Sequence, residues 1–145
     1  MRGPAIKVIQ SALADNPKKT INNRALSPAG VLVIVYPKNG EYCILLNKRS
    51  QLVEHHKGEI SFPGGSVDPG DKNLLATAKR ETQEEMGICS DDIDYLGDLD
   101  DMPTISSFLI TAFVATIPYP YKFNPSEHEV AEVLEVPINH LRSDA

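Results

Sequence analysis

Apolar positions follow three rhythms along this chain. From Pro4 to Ala14, apolar Ile6, Val8, Ile9, Ala12 and Leu13 recur at spacings of one, three and four. That pattern predicts an amphipathic helix with proline in its first turn. Asn16-Pro17 ends it, and Lys18 to Ser27 reads as a polar connector. Such a helix either covers a sheet face or mediates a dimer. Ala29 to Tyr36 is an unbroken apolar, β-branched run that predicts a buried strand. Pro37-Lys38-Asn39-Gly40 carries the Asn-Gly hairpin signal, and Glu41 to Asn47 alternates as the returning strand. Gln51 to Lys57 is polar, Gly58 to Phe62 reads as a short strand, and Pro63 leads into a glycine loop at Gly64-Gly65.

Helical spacing returns from about Asn73 to Met86, with Leu75, Ala78, Thr82 and Met86 on the inner face. Asp71 or Asn73 suits its N-cap, and Gly87 suits the left-handed residue that ends it. Asp91 to Asp101 reads as a ragged strand whose Asp98, Asp100 and Asp101 form a solvated edge. Met102-Pro103-Thr104 reads as a turn, Ser107 to Ile117 as a long strand, and Pro118 to Tyr121 as a stiff loop. Asn124-Pro125-Ser126 starts a turn before Glu127-His128-Glu129, Val130 to Val136 is a last strand, and Pro137 to Arg142 begins a short helix. Strands dominate around one strong central helix, so the expected class is α/β, a mixed sheet packed between helices.

Composition narrows the partners. A chain of 145 residues with 41% hydrophobic residues fits one domain with a real core. Its net charge of −6, with no basic patch interleaved with aromatics, argues against nucleic acid. Cys43 and Cys89 form no C-x-x-C, so neither a zinc site nor a disulfide framework is expected, only two buried or partly buried thiols. There is no bilayer-length apolar run and no signal-peptide layout at the N-terminus, so a cytoplasmic protein without a membrane partner is expected.

The candidate chemistry lies on the central helix. Glu84 and Glu85 sit one turn beyond Glu81, which predicts three converging carboxylates. Like charges at that spacing repel, and a hard divalent cation among them would offset the cost. Arg80, four before Glu84, can brace one of them. Acid clusters on helices are most often solvated faces. The preceding Gly-Gly loop and the adjacent arginine weigh against that plain reading here. The adjacent pair His55-His56 does not make a joint metal site, because neighbours in an extended segment point opposite ways.

Gly65, Asp71, Arg80-Glu81, Glu84-Glu85 and Gly87-Ile88 together resemble the Nudix box, the metal-binding loop-helix-loop of hydrolases that cleave nucleoside diphosphates linked to another group. Two departures stand out: eight residues (Lys72 to Lys79) separate Asp71 from Arg80 where the usual pattern has seven, and Thr82 replaces a large aliphatic residue. Leu45 to Ser50, His56, Gly58 to Gly65 and Asp68 are similar to the extended signature of the coenzyme A pyrophosphatase branch, which shares the longer spacing. Against that branch, Glu54 stands where an arginine is usual, and the chain ends at Ala145, short of a further strand segment and closing helix. Pro103, fifteen residues past the box, is the feature associated with ADP-ribose pyrophosphatases.

The resemblance implies a Nudix-type α/β/α sandwich, with residues 1–27 as N-terminal helix and connector and residues 28–145 as a hydrolase domain with a shortened C-terminal end. It implies magnesium, with manganese as a substitute, held by Glu81, Glu84, Glu85 and the Gly64 carbonyl. Glu81 or Glu84 would act as general base, Arg80 would orient them, and Asp71 would steady the loop. Arg49, His56 and Glu129 are the candidate substrate contacts, Glu129 also serving as an added ligand or base. The implied substrate is a small nucleoside diphosphate derivative, foremost coenzyme A or a CoA ester, then ADP-ribose or an ADP-sugar. A homodimer is compatible with it. The competing class is a binding module that keeps the fold without turnover.

Overall fold

In the computed structural model, residues 4–15, 18–53, 57–104 and 107–139 are described. Helix α1 spans Pro4–Asp15, and strands β1 (Ser27–Lys38) and β2 (Glu41–Arg49) follow it. Their antiparallel register, Lys38↔Glu41 to Val35↔Ile44, turns at Asn39 (φ 53°) and Gly40 (φ 80°). Two consecutive positive φ values are what a tight hairpin needs, and Asn-Gly supplies them at low cost. Strands β3 (Ile60–Ser61) and β4 (Gly64–Ser66), helix α2 (Leu74–Met86), a 3₁₀ turn (Ser90–Asp92), and strands β5 (Asp94–Asp98), β6 (Met102–Pro103), β7 (Phe108–Thr116) and β8 (Val130–Pro137) complete the order.

The spatial order is β3-β2-β1-β7-β5, with β4 added to β1, β6 to β7 and β8 to β2. β1 and β7 run parallel from Ser27↔Phe108 to Ile34↔Ala115. Every other pairing is antiparallel, so the sheet is mixed as expected. β1 is buried on both faces, which is why its sequence is continuously apolar rather than alternating. Leu32, Ile34 and Tyr36 pack with Ala78, Met86 and Ile88 on the α2 side. Val33 and Val35 pack with Ile6, Ile9 and Leu13 of α1 on the other. The N-terminal helix therefore covers a sheet face. Truncating a fully buried residue such as Leu32 to alanine costs about 2–5 kcal/mol.

Three expectations change. Gly64-Gly65 is not a loop but the start of β4, because Gly30 and Val31 offer backbone partners to Gly65 and Gly64. Met102-Pro103 is a short strand on β7 rather than a turn. Pro137 closes β8 opposite Cys43, and the expected helical start follows directly at Ile138 and Asn139, the last described residues. Cys43 is buried as expected, whereas Cys89 is exposed just past α2. Among the described residues no helix is long and apolar enough to cross a membrane.

Candidate active site

Two positions just before α2, Asp71 and Asn73, divide the labour that the sequence left open. Asn73 is the N-cap, its Oδ1 accepting the Ala76 N–H at 2.8 Å. Asp71 instead accepts from Arg80, Nε at 3.0 Å and Nη2 at 3.1 Å, from the Thr77 hydroxyl at 2.8 Å and from the Asp68 N–H at 2.8 Å. The Arg80 bonds foremost, then the backbone bond at Asp68, hold the Asp71 carboxyl well below the usual range. Arg80 Nη2 also donates to the Ser66 carbonyl at 3.1 Å, while Nη1 reaches Glu81 Oε1 at 2.9 Å and the Glu84 carboxylate at 3.4 Å. One guanidinium thus ties α2 to β4 and to the loop between them.

The glutamates divide by helical angle. At about 100° per residue, Glu85 lies only about 40° round from Glu81, while Glu84 lies about 60° to the other side. Glu81 and Glu85 therefore face β4, and Glu85 is buried with Oε1 accepting the Gly64 N–H at 3.0 Å. Glu84 is exposed on the Arg80 side. The convergence of all three that spacing predicts is thus resolved into a pair and a neighbour. The third carboxylate beside the pair is Glu129, from the turn before β8, and Glu81, Glu85 and Glu129 line one cleft of about 940 Å³. Among the described residues no three His, Cys, Asp or Glu side chains are already gathered into a metal-holding group.

Electrostatics separates this cleft from the Asp71–Arg80 pair. Burial foremost pushes the Glu85 carboxyl up to about 8; the Gly64 N–H and Arg49 oppose, and the Glu81 and Glu129 charges add to the rise. Burial also raises Glu81, against the pull of Arg80. Glu129 Oε2 is buried without a hydrogen-bond partner. A buried, unpartnered carboxylate oxygen beside two desolvated carboxylates is costly as it stands. The donor set is all oxygen and anionic, which suits a hard divalent cation. Gly65 keeps this space open: a Cβ there would stand 2.7 Å from Glu81 Cδ and Oε2.

Arg49 lines the same cleft, just past a β-bulge between Lys48 and Arg49 that re-aims the end of β2. His56 and Glu54 lie outside the described residues. The cleft also takes in His128, Glu59, Ser61, Phe62 and Thr104, none of which the sequence singled out as contacts. Glu59, Ser61 and Phe62 belong to or flank the two-residue β3, which is too short for an alternation to mark them. Nothing local marks Thr104 or Phe108; the pairing of β6 with β7 and of β7 with β1 brings them beside α2's partner strand.

The family model described as NUDIX domain matches residues 26–145. An uncharacterised Nudix hydrolase NudL of Cronobacter sakazakii is 38% identical over 121 residues, covering 83% of this chain and 61% of that protein. The NudL of Photorhabdus laumondii is 33% identical over 134 residues, covering 92% of this chain and 70% of that protein. The chain thus spans somewhat over half the length of such relatives. Among solved structures, a C. elegans Ap4A hydrolase in a binary complex superposes with a TM-score of 0.67 at 24% identity, over 77% of this chain and 80% of that one. The NUDIX domain of Shewanella oneidensis NrtR, solved with ADP ribose, superposes with a TM-score of 0.60 at 19% identity, over 82% and 77%. These two likenesses establish the fold.

Proposed function

The chain belongs to the Nudix family, and on that premise we propose that it is a divalent-metal-dependent pyrophosphohydrolase of nucleoside diphosphate derivatives, with coenzyme A or a CoA ester as the foremost substrate. The observation that carries this reading is the cleft with three carboxylates, Glu81, Glu85 and Glu129, one of whose buried oxygens has no partner. Glu81, Glu85, the Gly64 carbonyl and Glu129 would hold magnesium or manganese, with Glu84 joining from the rim beside Arg80. When bound, such an ion supplies charge neutralisation on the diphosphate and a lowered pKa for water.

The chain's own residues supply the remainder. Arg80 ties Glu81 Oε1, so the carboxylate is oriented with Oε2 beside Gly65. Burial raises the proton affinity of Glu81, which suits it to take the proton of the attacking water. Water oxygen attacks one phosphorus, the bridging P–O bond breaks, and the leaving phosphate carries away the electron pair. Arg49 supplies a cation toward the phosphates, and Phe62, Val31 and Phe108 supply apolar wall. His56 is proposed as a further substrate contact by resemblance.

ADP-ribose is the second reading, favoured by Pro103: it sits in β6 next to Thr104, which lines the cleft. A panel of coenzyme A, ADP-ribose and dinucleotides with magnesium discriminates them. Release of 3′,5′-ADP from coenzyme A, lost in Glu84→Gln and Glu85→Gln, is the expected result. Ligand-dependent thermal shifts without hydrolysis of any substrate would instead identify a binding module.

A further inference from the structure

Glu129 comes from a turn, not from a regular element, so something outside the turn must hold its carboxylate at the cleft. The turn is anchored at its start on the C-terminal end of α2, where helical carbonyls lack intrahelical donors. The Asn124 N–H donates to the Met86 carbonyl at 2.9 Å and the Ser126 N–H to the Glu85 carbonyl at 2.8 Å. Gly87 permits this approach: it is left-handed (φ 72°), and a Cβ there would stand 2.7 Å from Asn124. The turn then closes on itself, with the Glu129 and Val130 N–H groups donating to the Ser126 carbonyl at 3.2 and 2.8 Å.

At its far end the turn meets Ser50, which is buried (4% exposed) just past β2. The Ser50 N–H donates to the Glu129 carbonyl at 3.0 Å. Its hydroxyl donates to the His128 carbonyl and accepts the Leu52 N–H at 3.1 Å. Ser50 thus grips two successive backbone carbonyls on either side of the Glu129 Cα–Cβ bond. The buried Oε2 of the side chain has no hydrogen-bond partner. What sets the starting point and direction of the Cα–Cβ bond is the backbone, and here that backbone is fixed by Ser50 and by α2.

We infer that Ser50 is the positioning residue for Glu129, and that the end of α2 which supplies Glu85 also anchors the turn which supplies Glu129. The inference rests on the proposed cation-holding role of Glu129. It makes the three cleft carboxylates one mechanical unit, two on the helix and the third hung from the helix's own last carbonyls.

The test is Mn2+ binding to the full chain by calorimetry without substrate, with kcat and KM on the preferred diphosphate measured in parallel. The variants are Ser50→Ala, Ser50→Thr, Glu129→Gln and the double Ser50→Ala/Glu129→Gln. Ser50→Ala is expected to weaken Mn2+ binding about 10-fold, the usual scale for loss of an outer support, and Ser50→Thr to restore most of it. kcat falls with it while KM stays within about twofold. The double variant binds no more weakly than Glu129→Gln alone, because the two act through one carboxylate. Multiplying losses, or unchanged Mn2+ affinity in Ser50→Ala, would overturn the inference. If Ser50→Ala does not fold, Ser50→Cys, which keeps the volume but loses the strong hydroxyl bond, takes its place in the same cycle with the same two outcomes. Coupled Mn2+ binding without hydrolysis overturns the hydrolase reading alone; hydrolysis with multiplying losses overturns the Ser50 assignment alone; absence of Mn2+ binding in the wild type overturns both.

Discussion

The loop before α2 and the buried side of α2 each hold an acid, joined through the Arg80 cluster, and the two acids shift in opposite directions. On one side Asp71 meets Arg80 through two nitrogens and is held well below its ordinary range. On the other, Glu85 is buried with one backbone N–H as its nearest donor and is pushed up to about 8. The first acid is neutralised from within and shapes the loop. The second, with Glu81 and Glu129, lines an acidic cleft that Arg49 and the Arg80 bond to Glu81 compensate only in part. The guanidinium marks the border between the two, because it binds Asp71, Glu81 and Glu84 at once.

The largest effect expected from breaking this contrast is on the partly compensated side. Glu85→Gln should cut metal-dependent turnover by more than the ~100-fold seen for outer supports of a metal site. In chelator the same variant should melt no lower than wild type, because the folded chain no longer has to bind a proton to keep that buried position neutral. Steady-state kinetics and thermal melting in EDTA check both halves. On the compensated side, Asp71→Asn should do the reverse in kind: a clear fall in melting temperature, with activity per folded molecule reduced less than in Glu85→Gln. It leaves Arg80 and the Thr77 hydroxyl with a poorer partner. Urea unfolding alongside kinetics separates the two.

The pH dependence sharpens the contrast further. Glu85 has a folded pKa near 8, above its unfolded value of about 4.3. Between those values the folded chain holds a proton that the unfolded chain has lost, so cation-free stability falls as pH rises and levels off above about 8. Magnesium should flatten that slope, as should Glu85→Gln; melting curves from pH 5 to 9 with and without magnesium are the measurement. Asp71 has the opposite sign. Its lowered pKa gives stability that is present above the unfolded value of about 3.9 and is lost as pH falls below it. The smallest effect is expected at Gly65→Ala. The atoms nearest the added methyl all belong to the Glu81 side chain, its Cδ and Oε2 first, so kcat should drop several-fold with little change in melting temperature.

Periodicity carried the helix, the hairpin and the continuous core strand, because each is set by residues close in sequence. The angular split of Glu81, Glu84 and Glu85 was also within reach of sequence, since helical geometry alone puts Glu84 on a different side from Glu85. The inner face of Leu75, Ala78, Thr82 and Met86 was legible too, but that a strand would cover the neighbouring edge with Glu81 and Glu85 was not. That depends on β4 lying against β1, a pairing that glycines at 64 and 65 permit without announcing. Likewise Asp71 and Asn73 are interchangeable as caps until Arg80 folds back and claims the first.

The sequence by itself determined the family, the acidic character of the site and the identity of its helix carboxylates, because the glycine loop, the arginine and the glutamates follow one another within a single loop and helix. Only the tertiary structure decided that Glu129 and Arg49, candidates by resemblance, line one cleft with Glu81, Glu85 and Thr104, and that Ser50 and the end of α2 bond the turn that carries Glu129. These residues come from α2, the ends of β2 and β6 and the turn before β8, and they meet through long-range backbone pairing, which leaves no periodic trace in the chain.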